Sequence, residues 1–349
     1  MPYDPPWEPR CPPPRRLVRP VPLDPTGARG PTRNQAAGPR WRRTSQGLYV
    51  PSFADGSVPE QRILEASMLL PAGGAVDAWA ALRLARAAFF DGLLPDGVTE
   101  RPVPLGAGPR QARRHRPGIS WARDVLDPSE VWVRYGIPCL RPTPALFNEM
   151  RRSEDLRAAV IALDMACAAE VSSISRTRTH AEAHPSADGV PLVRAALLLA
   201  DEDSWSPGES RLRLVWVLDA RRPTPLCNRE VFDVEGRSLG VADLLDTAAG
   251  VVGEYDGAEH ARPGRRSRDA AKDSALRDAG LEVFRVTAHD LHDVGSVVHR
   301  IHAAYARAAL GRPARRWTLE RPRGREARLS LDQRIELKQI LGELQHHGG

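Results

Sequence analysis

"EVFDVEGRSLGVADLLDTAAGVVGEYDGAEH", residues 230–260, decides the fold. The runs "EVFDV", "SLGVADLLD" and "VVGEYD" are of strand length, and Glu-Gly-Arg-Ser and Thr-Ala-Ala-Gly separate them as turns. Turns this short join antiparallel neighbours, so the stretch predicts a three-strand meander. Before it, "DEDSWSPGESRLRLVWVLDA" predicts a capped, apolar helix from about Pro207 to Ala220. After it, an Arg-rich helix is expected from about Arg265 to Ala279, stopped by Gly280. "LEVFRVT" then reads as a fourth strand and "AHDLHDVGSVVHRIHAAYARAAL" as a final helix. A strand separated from the meander by a helix enters the sheet through a crossover, which makes the sheet mixed and the class α/β.

The rest of the chain is organised less sharply. Residues 1–30 hold too much proline and too little apolar periodicity to fold alone, and predict a mobile arm. A short helix at 32–38 and two strand-like pieces in "RWRRTSQGLYV" suggest part of a winged-helix hairpin. Helical spacing runs from Val58 to Leu94, short strands and loops are expected from Thr99 to Pro144, and "SEDLRAAVIALDMACAAEV" predicts an amphipathic helix with Ser153 as N-cap. "GVPLVRAALLLA" continues this mainly helical region, taken as 31–198. Residues 311–349 read as a basic linker and an amphipathic helix, "LSLDQRIELKQILGELQHH", with Leu331, Ile335, Leu337 and Ile340 near one face and a protein partner as one use for it.

Composition bounds the partners. The 349 residues are 42% hydrophobic, as in a packed globular protein, and carry a net charge of +6. The charge sits in the flanks: residues 1–50 hold nine Arg against Asp4, Glu8 and Asp24, and residues 311–328 hold seven Arg against Glu320 and Glu326. Basic flanks suit a nucleic-acid partner, and they equally suit solvated tails. Cys11, Cys139, Cys167 and Cys227 are too scattered for a zinc finger or a disulfide framework, which fits a reducing compartment. No run is long and apolar enough for a membrane span, and the N-terminus lacks a signal-peptide core, so the expectation is a cytoplasmic protein with no membrane partner.

The acids carry the chemistry. Asp243 ends the apolar run of the second meander strand, and Glu254 and Asp256 end that of the third. Carboxylates delivered side by side at a sheet edge repel unless a cation neutralises them, and a hard divalent ion suits their oxygens. Glu209 on the preceding helix is a further candidate acid, and His260 a candidate proton donor or acceptor. Bland readings stand beside these: Asp256-Gly257 is a common turn pair, Glu209 suits a helix N-terminus without any metal, and the arginines near 265 suit a solvated face.

This order of residues resembles a family. Glu on the first helix, Asp on the second strand, Glu-x-Asp-Gly-x-x-His after the third, and "SRDAAKDSALRDAGLEVFRVTAHDL" resemble the very-short-patch-repair endonuclease branch of the PD-(D/E)XK nucleases over about residues 200–305. The resemblance implies a restriction-endonuclease-like domain at 199–310, with Asp243 and Glu254 binding Mg²⁺ (or Mn²⁺) and Glu209 supporting the ion or its water. At Asp256 the superfamily usually has a lysine; this branch commonly has Asp-Gly followed by a histidine, which implies a general acid–base role for His260. Upstream, "RWRRTSQGLYVP", the Ala-rich helices and "ALLLADEDSWSPGES" are similar to AbiEi-type antitoxins. The implied DNA contacts are Arg265, Arg266, Arg268 and Lys272, with Arg42 and Arg43 in the hairpin. Together these imply a metal-dependent DNA endonuclease, in repair or genome defence. The alternative is an antitoxin-like DNA-binding regulator on a non-cleaving nuclease fold.

Overall fold

A computed structural model of the chain describes residues 8–109, 115–257, 265–311, 314–320 and 329–346, with backbone alone at 265–270 and 342–346. The chain is mixed α/β and divides into two compact units. The N-terminal unit is Arg10–Arg152 with Arg176–Val193; the C-terminal unit includes Ser153–Ser175 and the chain from Arg194 onward. No described helix is long and apolar enough to cross a membrane.

The N-terminal unit holds two sheets. In the first, β1 (Val21–Pro22) pairs with β3 (Leu48–Pro51), which pairs with β2 (Trp41–Ser45); α1 (Arg33–Ala36) precedes the hairpin, its N-cap Thr32 exchanging capping-box bonds with Gln35. Gly47, at φ +76°, makes the tight turn between β2 and β3. Next come α2 (Pro59–Ser67), β4 (Ala75–Val76), α3 (Ala78–Leu84), β5 (Val103–Gly106), β6 (Ile119–Ala122), β7 (Val131–Arg134), β8 (Ile137–Leu140) and α4 (Pro142–Arg151). The second sheet has the order β6-β5-β4-β8-β7, and Ile63, Leu82, Leu84, Leu105 and Ile137 are fully buried in this unit. This is more sheet than the expected mainly helical region. Strands of two to five residues are too short to show alternation, so periodicity passes over them.

The mobile arm expected at 1–30 is corrected over the part described. Val18 and the side chain of Gln61 exchange two hydrogen bonds of 2.9 Å, Cys11 bonds through its backbone to Arg86, and β1 adds an edge to the hairpin. Proline opposes a helix but suits an extended strap whose few remaining polar groups find partners.

Helix α5 (Leu156–Ala168) lies in the C-terminal unit, although its sequence falls before the expected boundary at 199. Its N-cap is Asp155, which accepts from the Ala158 amide, rather than Ser153. Helices α6 (Ile174–Ala183) and α7 (Val190–Leu197) follow. The rest of the C-terminal unit is α8 (Pro207–Leu214) continued by a π-helical turn to Asp219, then β9 (Leu226–Asp233), β10 (Ser238–Asp246), β11 (Val251–Asp256), α9 (Arg265–Asp278), β12 (Glu282–Thr287), α10 (Val294–Leu310), β13 (Trp317–Thr318) and α11 (Leu331–His346).

The sheet order is β12-β11-β10-β9-β13. Strands β9, β10 and β11 form the antiparallel meander, and α9 carries the chain across so that β12 runs parallel to β11. Alternation buries both faces: Leu244, Val251 and Phe284 pack with Trp216 of the π-helical turn and Ile301 of α10, while Leu245, Val252 and Val283 pack with Leu276 of α9. The segment read as a basic linker contributes β13, whose Trp317 is buried beside β9. The expected apolar face of α11 divides: Leu331 and Ile335 are buried, whereas Leu337, Ile340 and Leu341 are about half exposed.

Candidate functional site

The site begins at the α8 N-terminus. Ser206 is the N-cap and Pro207 starts the first turn; the Ser206 hydroxyl accepts from the Glu209 amide at 3.2 Å and donates to Glu209 Oε1 at 2.9 Å. Glu209 Oε2 accepts from the Trp205 amide at 2.9 Å and from Asn228 Nδ2 at 2.6 Å. The carboxylate is thus held by the helix start and by β9, and is 2% exposed. Gly208 allows the next layer: a Cβ there would lie 2.0 Å from the Tyr255 ring, so β11 closes directly onto the first turn of α8.

Strands β10 and β11 supply the central pair. Their register, Leu244 opposite Gly253, carries Asp243 and Glu254 to neighbouring positions, and the Tyr255 amide donates to Asp243 Oδ2 at 2.8 Å. Both acids are buried. From α9, the Lys272 ammonium donates to Glu254 Oε2. The other oxygen, Oε1, is buried and has no hydrogen-bond partner. Gly240 makes room for the lysine: at φ +130° it lacks a Cβ that would come 2.9 Å from Lys272 Cγ.

Electrostatics follow from burial and crowding. Burial, and then the charge of Asp243, pushes the Glu254 carboxyl up, and Lys272 opposes both. Glu209 is raised by the same two causes, while Asn228 and the Trp205 amide pull it down. Asp256 lies apart from the central pair; its side chain is 37% exposed, with Arg285 of β12 at 3.8 Å. Arg285 is itself held at 2.9 Å by Asp273 of α9.

The structure therefore gathers Glu209, Asp243 and Glu254 around one corner of the sheet and adds Lys272, which the sequence reading had given to a phosphate. Asp256 stands at the edge. His260 lies outside the described residues, as do the side chains of Arg265, Arg266 and Arg268 in the first turns of α9. In the N-terminal unit, the Arg42 guanidinium is bidentate on Glu65, at 2.6 and 3.0 Å, and also donates to the Ala54 carbonyl. Arg43 is exposed and donates to the Ser45 carbonyl. Sequence reasoning missed Asn228, Arg285 and Asp273. It missed the Lys272–Glu254 pair although a lone lysine in an Arg-rich helix, with a glycine in the facing strand, was a readable signal.

Two adjacent acids with an unpartnered buried oxygen can hold a hard cation, and an ammonium beside them can donate to a bound anion or water. Against known proteins, the chain matches no family model, no curated protein and no solved structure.

Proposed function

We propose that the C-terminal unit is a Mg²⁺- or Mn²⁺-dependent phosphodiesterase that cleaves DNA on a restriction-endonuclease-like core. One observation carries the reading: Glu254 Oε1 is buried without a partner next to Asp243, while the other oxygen of the same carboxylate is held by Lys272. A buried carboxylate oxygen left without a hydrogen-bond partner costs free energy that a donor or cation at that oxygen would recover. The residues fit a small divalent ion, with Asp243 and Glu254 as its ligands.

Bound there, the ion supplies charge neutralisation at the scissile phosphate and lowers the pKa of the attacking water. The chain's own residues do the rest. Lys272 fixes the orientation of Glu254 and brings a proton donor to the carboxylate, in place of the lysine that the resemblance leads one to expect at residue 256. Glu209, already held by Ser206, Trp205 and Asn228, keeps the α8 N-terminus against β9. Arginines of the basic flanks neutralise the DNA backbone, so binding should weaken steeply with salt.

The test is plasmid nicking by the wild type and by Asp243→Asn with Mg²⁺, Mn²⁺ or chelator. Metal-dependent nicking that the substitution abolishes supports the reading. DNA retention by both proteins with no cleavage under any metal refutes it, and leaves the non-cleaving regulator.

A further inference from the structure

The N-terminal unit contains a second constellation, independent of the acidic corner and of the activity proposed for it. Three potential ligands converge: His180 in the last turn of α6, His184 one residue past its end, and Glu130 closing the 3₁₀ turn Pro128–Glu130. A four-residue spacing puts the two histidines on one helix face, and their rings lie 4.3 Å apart at 31°. Phe147 of α4 packs edge-on against His180 at 5.0 Å, so the imidazole is backed by an apolar wall. One ligand atom from each of the three residues falls within 4.8 Å of the others.

We propose that Glu130, His180 and His184 bind one Zn²⁺ ion. Glu130 Oε1 and His180 Nδ1 are 3.5 Å apart, beyond a good hydrogen bond. Two atoms each about 2.1 Å from a tetrahedral ion stand roughly 3.4 Å apart, so this gap already has the span of a zinc-bridged pair. The remaining ligand atom has to move inward by at most about 1.4 Å, from the 4.8 Å limit to that span, which an exposed histidine at a helix end permits. The second nitrogen of His184 is prepared as well: its Nδ1 lies 2.9 Å from the His180 carbonyl. Donation to that carbonyl places the lone pair on Nε2, the tautomer in which a ligating histidine is usually held. Asp127, which caps the 3₁₀ turn, adds a further negative charge nearby.

Ligand chemistry selects the ion. Two imidazoles and one carboxylate suit a borderline-soft metal, whereas the oxygen-only corner formed by Asp243 and Glu254 suits Mg²⁺. Three protein ligands leave a fourth position for water, on the exposed side where His184 sits. The ion would tie the end of α6 to the turn before β7, closing a long loop of the chain with a metal clip.

The test uses the full chain without a histidine tag, stripped with chelator and titrated with Zn²⁺ by calorimetry, then with Co²⁺ by visible spectroscopy. One equivalent is expected, with the ligand-field bands of a four-coordinate Co²⁺ site. His184→Ala, whose side chain is exposed so that folding is spared, should weaken binding by more than the roughly 10–100-fold that loss of an outer-sphere partner costs. Glu130→Gln should weaken it too, and Glu254→Gln in the other unit should leave it unchanged. Failure to take up zinc overturns the proposal. So does wild-type affinity in His184→Ala, which would assign the ion to other histidines or cysteines, and so does loss of zinc in Glu254→Gln.

Discussion

Replacing Lys272 with methionine isolates the charge that stabilises Glu254. The methionine stem keeps the packing over Gly240 and removes only the ammonium. Glu254 then sits 7% exposed with both oxygens unpaired and Asp243 beside it. Removing one partner of a buried pair costs about 3–5 kcal/mol, and since Lys272 is itself 16% exposed, water can replace part of the loss and the lower end applies. A loss of about 3 kcal/mol corresponds to roughly a hundredfold drop in protection of the β10 and β11 amides against hydrogen exchange in chelator, reached only where the pH exceeds the raised pKa of Glu254. The pH dependence has a definite sign. Burial and Asp243 hold the folded carboxyl above its unfolded value, so the protonated form favours folding. That contribution is complete below the unfolded value of about 4.3 and is lost as pH rises through the folded one, so the variant should regain protection on acidification. Mg²⁺ should restore it at pH 8, by about 2.7 kcal/mol at a concentration a hundred times its Kd. Wild-type protection in the variant without metal at a pH where Glu254 is ionised would refute the argument, because Glu254 would then need no compensating charge.

Two further substitutions probe the scaffold. Gly240→Ala places a Cβ 2.9 Å from Lys272 Cγ at φ +130°, a conformation costing a side chain about 1–3 kcal/mol. Urea unfolding should detect this, and in plasmid nicking the loss should resemble that of Lys272→Met rather than leave cleavage intact. Arg213→Met strips the fully buried Asp164 of a partner at 2.5 Å and should cost about 3–5 kcal/mol in thermal unfolding, with the double variant that combines Asp164→Asn and Arg213→Met recovering part of it. Burial already raises Asp164 to about 6 against the lowering charge of Arg213, so the single variant, which lacks that charge, should begin to recover stability as pH falls from above that value.

Much of the C-terminal unit was legible because its signals are local. "SLGVADLLD" and "VVGEYD" carry their own strand lengths and turns, Gly280 stops α9 where glycine is expected to, and β12 enters parallel to β11 as a helix-separated strand should. What stayed hidden depends on contacts far apart in sequence. Lys272 meets Glu254 across 18 residues, and only the mixed sheet brings α9 over the end of β11. β9 begins at Leu226, four residues before the apolar run that announced it, because Asn228 is drawn in by Glu209 and by the Asp203 carbonyl. The strap before residue 31 was read from composition, and composition does not record that Gln61 supplies both hydrogen bonds Val18 needs.

The three buried acids do not have equal standing, although the sequence presents them as one cluster. Glu209 accepts three hydrogen bonds, with a donor on each oxygen, and lies at the positive end of α8. Asp243 takes the Tyr255 amide on one oxygen, which stiffens the end of β11 and aims the carboxylate. Glu254 alone keeps a buried oxygen with no partner, and it is also the acid with a lysine on its other oxygen. A carboxylate kept only for packing gains nothing from this half-satisfied state, since a glutamine or an apolar residue would remove the repulsion with Asp243 at lower cost. Neutralising Glu254 should therefore abolish metal binding at this corner at a modest cost to the metal-free fold, because a glutamine oxygen still accepts from Lys272 and the repulsion with Asp243 is gone. The same change at Glu209 should loosen α8, because its charge is already in use. A smaller loss for Glu254→Gln than for Glu209→Gln, in unfolding experiments with chelator present, would separate the acid that waits for a ligand from the acid that builds the wall behind it.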